Sequence, residues 1–96
     1  MQVKNIIAEC GVTYNHIYLI DDEGQTTDYH FFDPNSALSS LFCETTDNPT
    51  LEKITLIGAT DYTNMVKEKL LFKLQTFYNN KTDCPIPEIE LKEKFN

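Results

Sequence analysis

Apolar positions change period along this chain, alternating first and then recurring at helical spacing. Over 3–10, Val-Lys-Asn-Ile-Ile-Ala-Glu-Cys, residues Ile6, Ala8 and Cys10 alternate on one face, which is the period of a strand. Ile7 between them suits a strand buried on both sides. Gly11 breaks the run. Residues 14–20, Tyr-Asn-His-Ile-Tyr-Leu-Ile, are β-branched and aromatic, a composition that fits a pleated, half-buried surface. Asp21-Asp22-Glu23-Gly24 then predicts a hairpin, with Gly24 supplying a positive φ. Residues 25–32 return as a third strand, placing Thr27, Tyr29 and Phe31 on one face and Thr26, Asp28 and His30 on the other.

Helical signals follow. Asp33-Pro34 reads as an N-cap and a proline at the first helical position. Ala37, Leu38, Leu41 and Phe42 form the apolar stripe of a short helix over 34–43. Glu44 to Thr50 is polar, contains Pro49 and is expected to be loop. Residues 53–58 predict a fourth strand. Val66, Leu70, Leu74 and Phe77 recur at helical spacing, with Met65, Leu71 and Tyr78 widening the stripe and Lys67, Glu68, Lys69 and Lys73 opposite. Asp61 or Thr63 can cap this helix, and Asn79-Asn80-Lys81 ends it. In the proline-rich tail, Ile89 and Leu91 alternate with Glu88 and Glu90, so a short edge strand over 86–91 is expected.

These elements predict one α+β or α/β domain over 1–80 and an extended tail over 81–96. The expected architecture is a single mixed sheet of four to five strands in β-β-β-α-β-α order, with helices mainly on one face. Val66, Leu70, Leu74 and Phe77 should pack on Ile6, Ile17, Leu19 or Ile54.

Charge narrows the function classes. The chain of 96 residues carries 15 acidic side chains against 8 lysines and no arginine, a formal net charge of −7. Arginine is the usual bidentate reader of phosphate and guanine, so direct nucleic-acid binding is not expected. A basic protein surface, such as a groove that normally holds nucleic acid, is the complementary partner. Lysine without arginine, with abundant Asn, Ile, Phe and Tyr, points to AT-rich coding, which fits low-GC bacteria, their phages and their mobile elements. No apolar run approaches the ~20 residues that span a bilayer. No signal peptide precedes the first strand, so the host cytoplasm and reduced thiols are expected. Cys10, Cys43 and Cys84 form no C-x-x-C pair, and with His16 and His30 they lack the paired spacing of a structural zinc site. No cofactor is implied.

The order of three meandering strands, helix, strand and helix resembles the ribonuclease H-like fold and each half of actin-like ATPases. Ile54-Thr55-Leu56-Ile57-Gly58-Ala59-Thr60-Asp61-Tyr62 is similar to the ribonuclease H segment in which a strand ends at a catalytic Asp and feeds a helix. Ile6 to Gly24, with Ile17-Tyr18-Leu19-Ile20-Asp21-Asp22-Glu23-Gly24, resembles the first hairpin of both groups. The resemblance covers roughly residues 3–78 at the level of pattern. It implies Glu9, Glu44 and Asp61 as carboxylates holding Mg²⁺ for two-metal phosphodiester cleavage. Three departures stand against that chemistry. Glu9 replaces the family's first Asp, Glu44 falls beyond the short first helix, and no room remains for the helix bearing the family's last acid. For the actin-like group, Gly11, Gly24 and Gly58 are too scattered to cradle a phosphate.

The expected function is therefore a small acidic, non-catalytic binding protein that inhibits or redirects a host protein, including a defence protein, by direct contact. The alternative is a minimal Mg-dependent nuclease. The expected contact surface is the acidic hairpin, Asp21, Asp22, Glu23 and Asp28, with Tyr14, Tyr18 and Tyr29 as aromatic anchors. Self-association through 86–91 is a further expectation.

Overall fold

The computed structural model describes residues 2–79 and 86–93. Seven elements follow one another: β1 (Val3–Glu9), β2 (Asn15–Asp21), β3 (Thr26–Phe31), α1 (Pro34–Asp47), β4 (Lys53–Ile57), α2 (Thr60–Phe77) and β5 (Glu88–Lys92). The five strands make one mixed sheet in the order β3-β2-β1-β4-β5. The β1–β2 and β2–β3 pairs are antiparallel, and β1–β4 and β4–β5 are parallel. Both helices lie on one side of the sheet, α1 against β2, β3 and α2, and α2 against β4 and β5. Among the described residues, no helix is long and apolar enough to cross a membrane.

Strand alternation divides the sheet. Ile6 and Ala8 on β1, Ile17 and Leu19 on β2, and Ile54 and Leu56 on β4 point to the helices and are buried. Leu41 of α1 and Leu70 and Leu74 of α2 meet them, joined by Leu51. Such side chains contribute about 1.5–3 kcal/mol each relative to exposure. Ile7 is only half-buried on the opposite face, so β1 is covered on one side rather than two. That follows from both helices sharing one layer.

The hairpin forms as its sequence predicts. Gly24 has φ 82°, and the Asp21 carboxylate accepts the N–H groups of Glu23 and Gln25 at 2.9 Å each. Asp33 caps α1 by accepting from the N–H groups of Asn35 and Ser36.

Three features differ from the sequence expectation. First, α1 runs on to Asp47, which places Glu44 inside the helix. Ala37, Leu41 and Thr45 are buried at four-residue spacing, and Thr45 Oγ1 donates to the Leu41 carbonyl at 2.7 Å. Asn48 closes the end by donating Nδ2 to the Glu44 carbonyl, leaving Pro49 outside. Second, α2 has Ala59 at its N-cap with no side-chain cap. Thr63 is instead buried, and its hydroxyl is shared between the Ala59 and Thr60 carbonyls. Third, Phe77 is 51% exposed, while Leu70 and Leu74 are fully buried. Helical period sets the angle of Phe77 but not what lies beneath the last turn, where its ring meets Phe42 and Tyr78.

The expected edge strand is present as Glu88–Lys92, and the tail therefore contributes to the sheet. Asn80, Lys81 and Cys84 lie outside the described residues.

Candidate functional site

The side of the sheet away from the helices carries the chemistry. Register aligns its residues in rows: Ile57, Glu9, His16 and His30 form one, and Thr55, Ile7, Tyr18 and Asp28 the next. Tyr14 and Phe32 continue this face just beyond the ends of β2 and β3. Phe32 is 78% exposed, and Tyr14 and His30 are also exposed.

His16 is the hub. Its ring stacks on Tyr18, with centroids 4.2 Å apart and planes 15° apart, and lies nearly parallel to His30 at 5.6 Å. Tyr14 meets the His30 ring edge-on at 4.7 Å, and Phe32 lies tilted against His30 at 4.9 Å. His16 Nε2 faces Asp28 Oδ2 at 3.3 Å. A carboxylate only accepts, so the neutral His16 tautomer carries its proton on Nε2 and presents a bare Nδ1. Nδ1 lies 3.1 Å from the Tyr14 hydroxyl and 3.3 Å from that of Tyr18. The Tyr18 hydroxyl donates its hydrogen bond to Glu9 Oε1 at 2.9 Å. Of the two phenols, Tyr14 is the one placed to donate to Nδ1 in that tautomer. The hydrogen bond to Glu9, followed by desolvation and the nearby negative charge, pushes the Tyr18 phenol up to about 12.

At the far side of the face, Glu90 links Lys53, at 2.5 Å, and Lys92, at 3.6 Å. The Lys53 ammonium holds the Glu90 carboxyl below its ordinary value, and the Glu90 carboxylate raises Lys53 in turn.

The structure divides the sequence-predicted contact surface. Tyr14, Tyr18 and Asp28 come together on the open face around His16. Asp21, Asp22 and Glu23 occupy the hairpin tip at the opposite end of β2 from Tyr14. Seven residues at roughly 3.3 Å each separate those ends by more than ~20 Å. Tyr29 points to the helix side, since residue 29 has the opposite parity from Asp28 and His30. His16, His30 and Phe32 are the members that sequence reasoning did not assign. Their signal is a shared parity, 14-16-18 on one strand and 28-30-32 on the next, which becomes one cluster only once the register is known.

The carboxylates implied by the nuclease resemblance lie apart. Glu9 faces the open side with Tyr18, whereas Glu44 and Asp61 belong to the helix layer, in the last turns of α1 and the first turn of α2. Among the described residues, no three His, Cys, Asp or Glu side chains are placed to hold a metal ion.

The helix side has its own exposed aromatic patch. Phe72 is 71% exposed, and Phe42, Phe77, Lys73 and Thr76 line a shallow depression beside it. The Lys73 ammonium lies 5.9 Å over the Phe42 ring.

Compared with models of known protein families and with curated protein sequences, the chain matches none.

Proposed function

We propose that this chain is a small acidic binding protein, without a catalytic step of its own, that seats the open face of its sheet on a basic protein surface. The observation that carries this reading is the cluster of Tyr14, His16, Tyr18, His30 and Phe32, framed by Glu9 and Asp28, on a sheet face that neither helix covers. Exposed rings beside carboxylates suit a guanidinium or ammonium group, which takes both cation–π and charge-assisted contacts. The net charge of −7 directs approach toward basic surfaces. The lysine-rich, arginine-free composition fits AT-rich coding and so supports a phage or mobile element as the source, with contact inhibiting or redirecting a host protein. The ribonuclease H-like element order then serves as scaffold.

The test uses tagged wild-type chain and two double variants against a lysate of the source organism. His30→Ser/Phe32→Ser alters the open face at exposed positions, and Phe72→Ser/Phe77→Ser alters the helix face. A captured protein that is lost with the first variant, kept with the second and released by salt supports the reading. Equal retention by the first variant overturns it. Mg²⁺-dependent cleavage of nucleic acid that disappears in Glu9→Gln or Asp61→Asn would replace it with the nuclease.

A further inference from the structure

The two edges of the sheet differ in how they are defended. An unpaired strand edge invites another strand, and natural proteins blunt such edges with lysine, proline, alternating charge or a bulge. β5 is blunted: Pro87 precedes it, and Glu88, Glu90 and Lys92 lie along it. β3 reads Thr-Thr-Asp-Tyr-His-Phe, with no lysine and no proline. It pairs with β2 in unbroken register from Ile20↔Thr26 to Asn15↔Phe31, so no bulge turns it away. Thr26 to His30 are all exposed, and Tyr29 on the helix side is 43% exposed, so α1 leaves this flank open.

The edge is also complementary to itself. In an antiparallel pair, directly opposed residues share a face, so two copies of β3 related by a two-fold axis must centre on a residue. Centring on Asp28 sets two carboxylates directly opposite each other, which is unfavourable. Centring on His30 loses most of the strand overlap. Centring on Tyr29 sets Tyr29 against Tyr29 of the second copy, Thr27 against Phe31, and Asp28 against His30 twice. The first two are aromatic and aromatic–β-branched pairs, combinations that favour cross-strand pairing, and the third sets a carboxylate acceptor beside an imidazole that can donate to it.

We infer that the chain forms a two-fold homodimer by antiparallel pairing of β3 with β3 of a second copy, centred on Tyr29. The two sheets become continuous, and the Asp28 carboxylate of each copy lies beside the His30 ring that already stacks with His16 of the other. This moves self-association from the tail edge, where the sequence suggested it, to the opposite edge. It stands independently of the proposed partner.

Cross-linking reads the register directly. Opposed Cα atoms are about 4.5–5.5 Å apart, within the range a disulfide spans. In a Cys43→Ser/Cys84→Ser background, Tyr29→Cys should oxidise to a species of twice 11.1 kDa, and Thr27→Cys, which faces Phe31 instead of itself, should not. Sedimentation of the wild-type chain should show mass rising from 11.1 kDa toward twice that value with concentration. Tyr29→Lys, which opposes two ammonium groups at an exposed position, should hold the monomer with an unchanged circular dichroism spectrum. A wild-type chain that stays at 11.1 kDa at every concentration overturns the inference, including the case where β3 accepts a strand from another protein. So does a dimer that survives Tyr29→Lys, or equal cross-linking of Thr27→Cys and Tyr29→Cys.

Discussion

The Tyr18 hydroxyl on β2 donates a hydrogen bond to Glu9 on the neighbouring β1 at 2.9 Å, tying the two antiparallel strands together on the open face. Ionising Tyr18 would forfeit the hydrogen bond to Glu9, expose a desolvated phenolate and set it against a carboxylate, and its pKa rises to about 12. The folded state therefore favours the protonated phenol. That contribution to stability is fully present below the ordinary tyrosine value near ~10 and is lost as pH climbs through about 12. Glu9→Gln should lower the Tyr18 titration toward the ordinary value, because a neutral amide no longer repels the phenolate. Phenolate absorbance against pH in wild type and variant measures it.

Leu70 and Phe77 separate core from periphery on one helix. Leu70→Ala should destabilise by about 2–4 kcal/mol, the usual cost of truncating a fully buried leucine. Phe77→Ala should cost less, about 0.7–1.5 kcal/mol, since its ring is half in solvent and about half of its burial contribution is already forgone. Urea unfolding of both variants checks the ranking. Equal costs would show that the last turn of α2 is core after all.

Gly58 sits where β1, β4, β5 and α2 converge. A Cβ there would stand 2.6 Å from the Cys10 carbonyl oxygen and 3.3 Å from Thr63 Cγ2. The nearer obstacle is backbone, which cannot swing aside, and it is held by the Cys10 N–H donating to the Ile57 carbonyl at 2.8 Å. Gly58→Ala should therefore cost about 1–3 kcal/mol, as overpacking does. Thermal or urea unfolding reads the loss directly.

The parts of this fold written in local pattern are legible in the sequence. Alternation at 6-8 and 17-19 marked the core faces, Asp33-Pro34 marked a helix start, and Gly24 marked a turn. Thr45 was not legible as helix, because its burial depends on Leu41 and the sheet below rather than on its own polarity. Nor was the His16 cluster. Parity places His16 and His30 on faces, but only the β2–β3 register sets them directly opposite each other. Tyr29 is the opposite case, since alternation alone already set it on the face away from Asp28. Its tyrosine character suggested the acidic surface, and its odd number put it on the helix side.

The thiols should differ in reactivity. Burial pushes Cys10 up to about 11, so its thiolate is scarce at neutral pH, whereas Cys43 is exposed on α1. The thiolate is the reacting species. In a Cys84→Ser background, a disulfide reagent at neutral pH should modify Cys43 rapidly and Cys10 slowly, with Cys10 catching up once denaturant is added. Mass spectrometry of the time course gives both rates, and equal rates in the folded chain would mean that the end of β1 opens readily.

The hairpin tip and the open face should govern different stages of partner association. Asp22 and Glu23 are exposed and lie at a turn far from the His16 cluster, so replacing both with lysine should leave the fold intact. Their charges act through solvent within a Debye length of about 8–10 Å, which affects approach more than the docked state. Asp22→Lys/Glu23→Lys should therefore slow association at low salt, flatten its salt dependence and leave dissociation nearly unchanged. His30→Ser/Phe32→Ser removes rings that the partner would cover, and should accelerate dissociation with little effect on the on-rate. Once the partner is purified, surface plasmon resonance at two salt concentrations separates the two effects. A lysine variant that dissociates faster, with the serine variant behaving as wild type, would move the contact from the open face to the acidic hairpin.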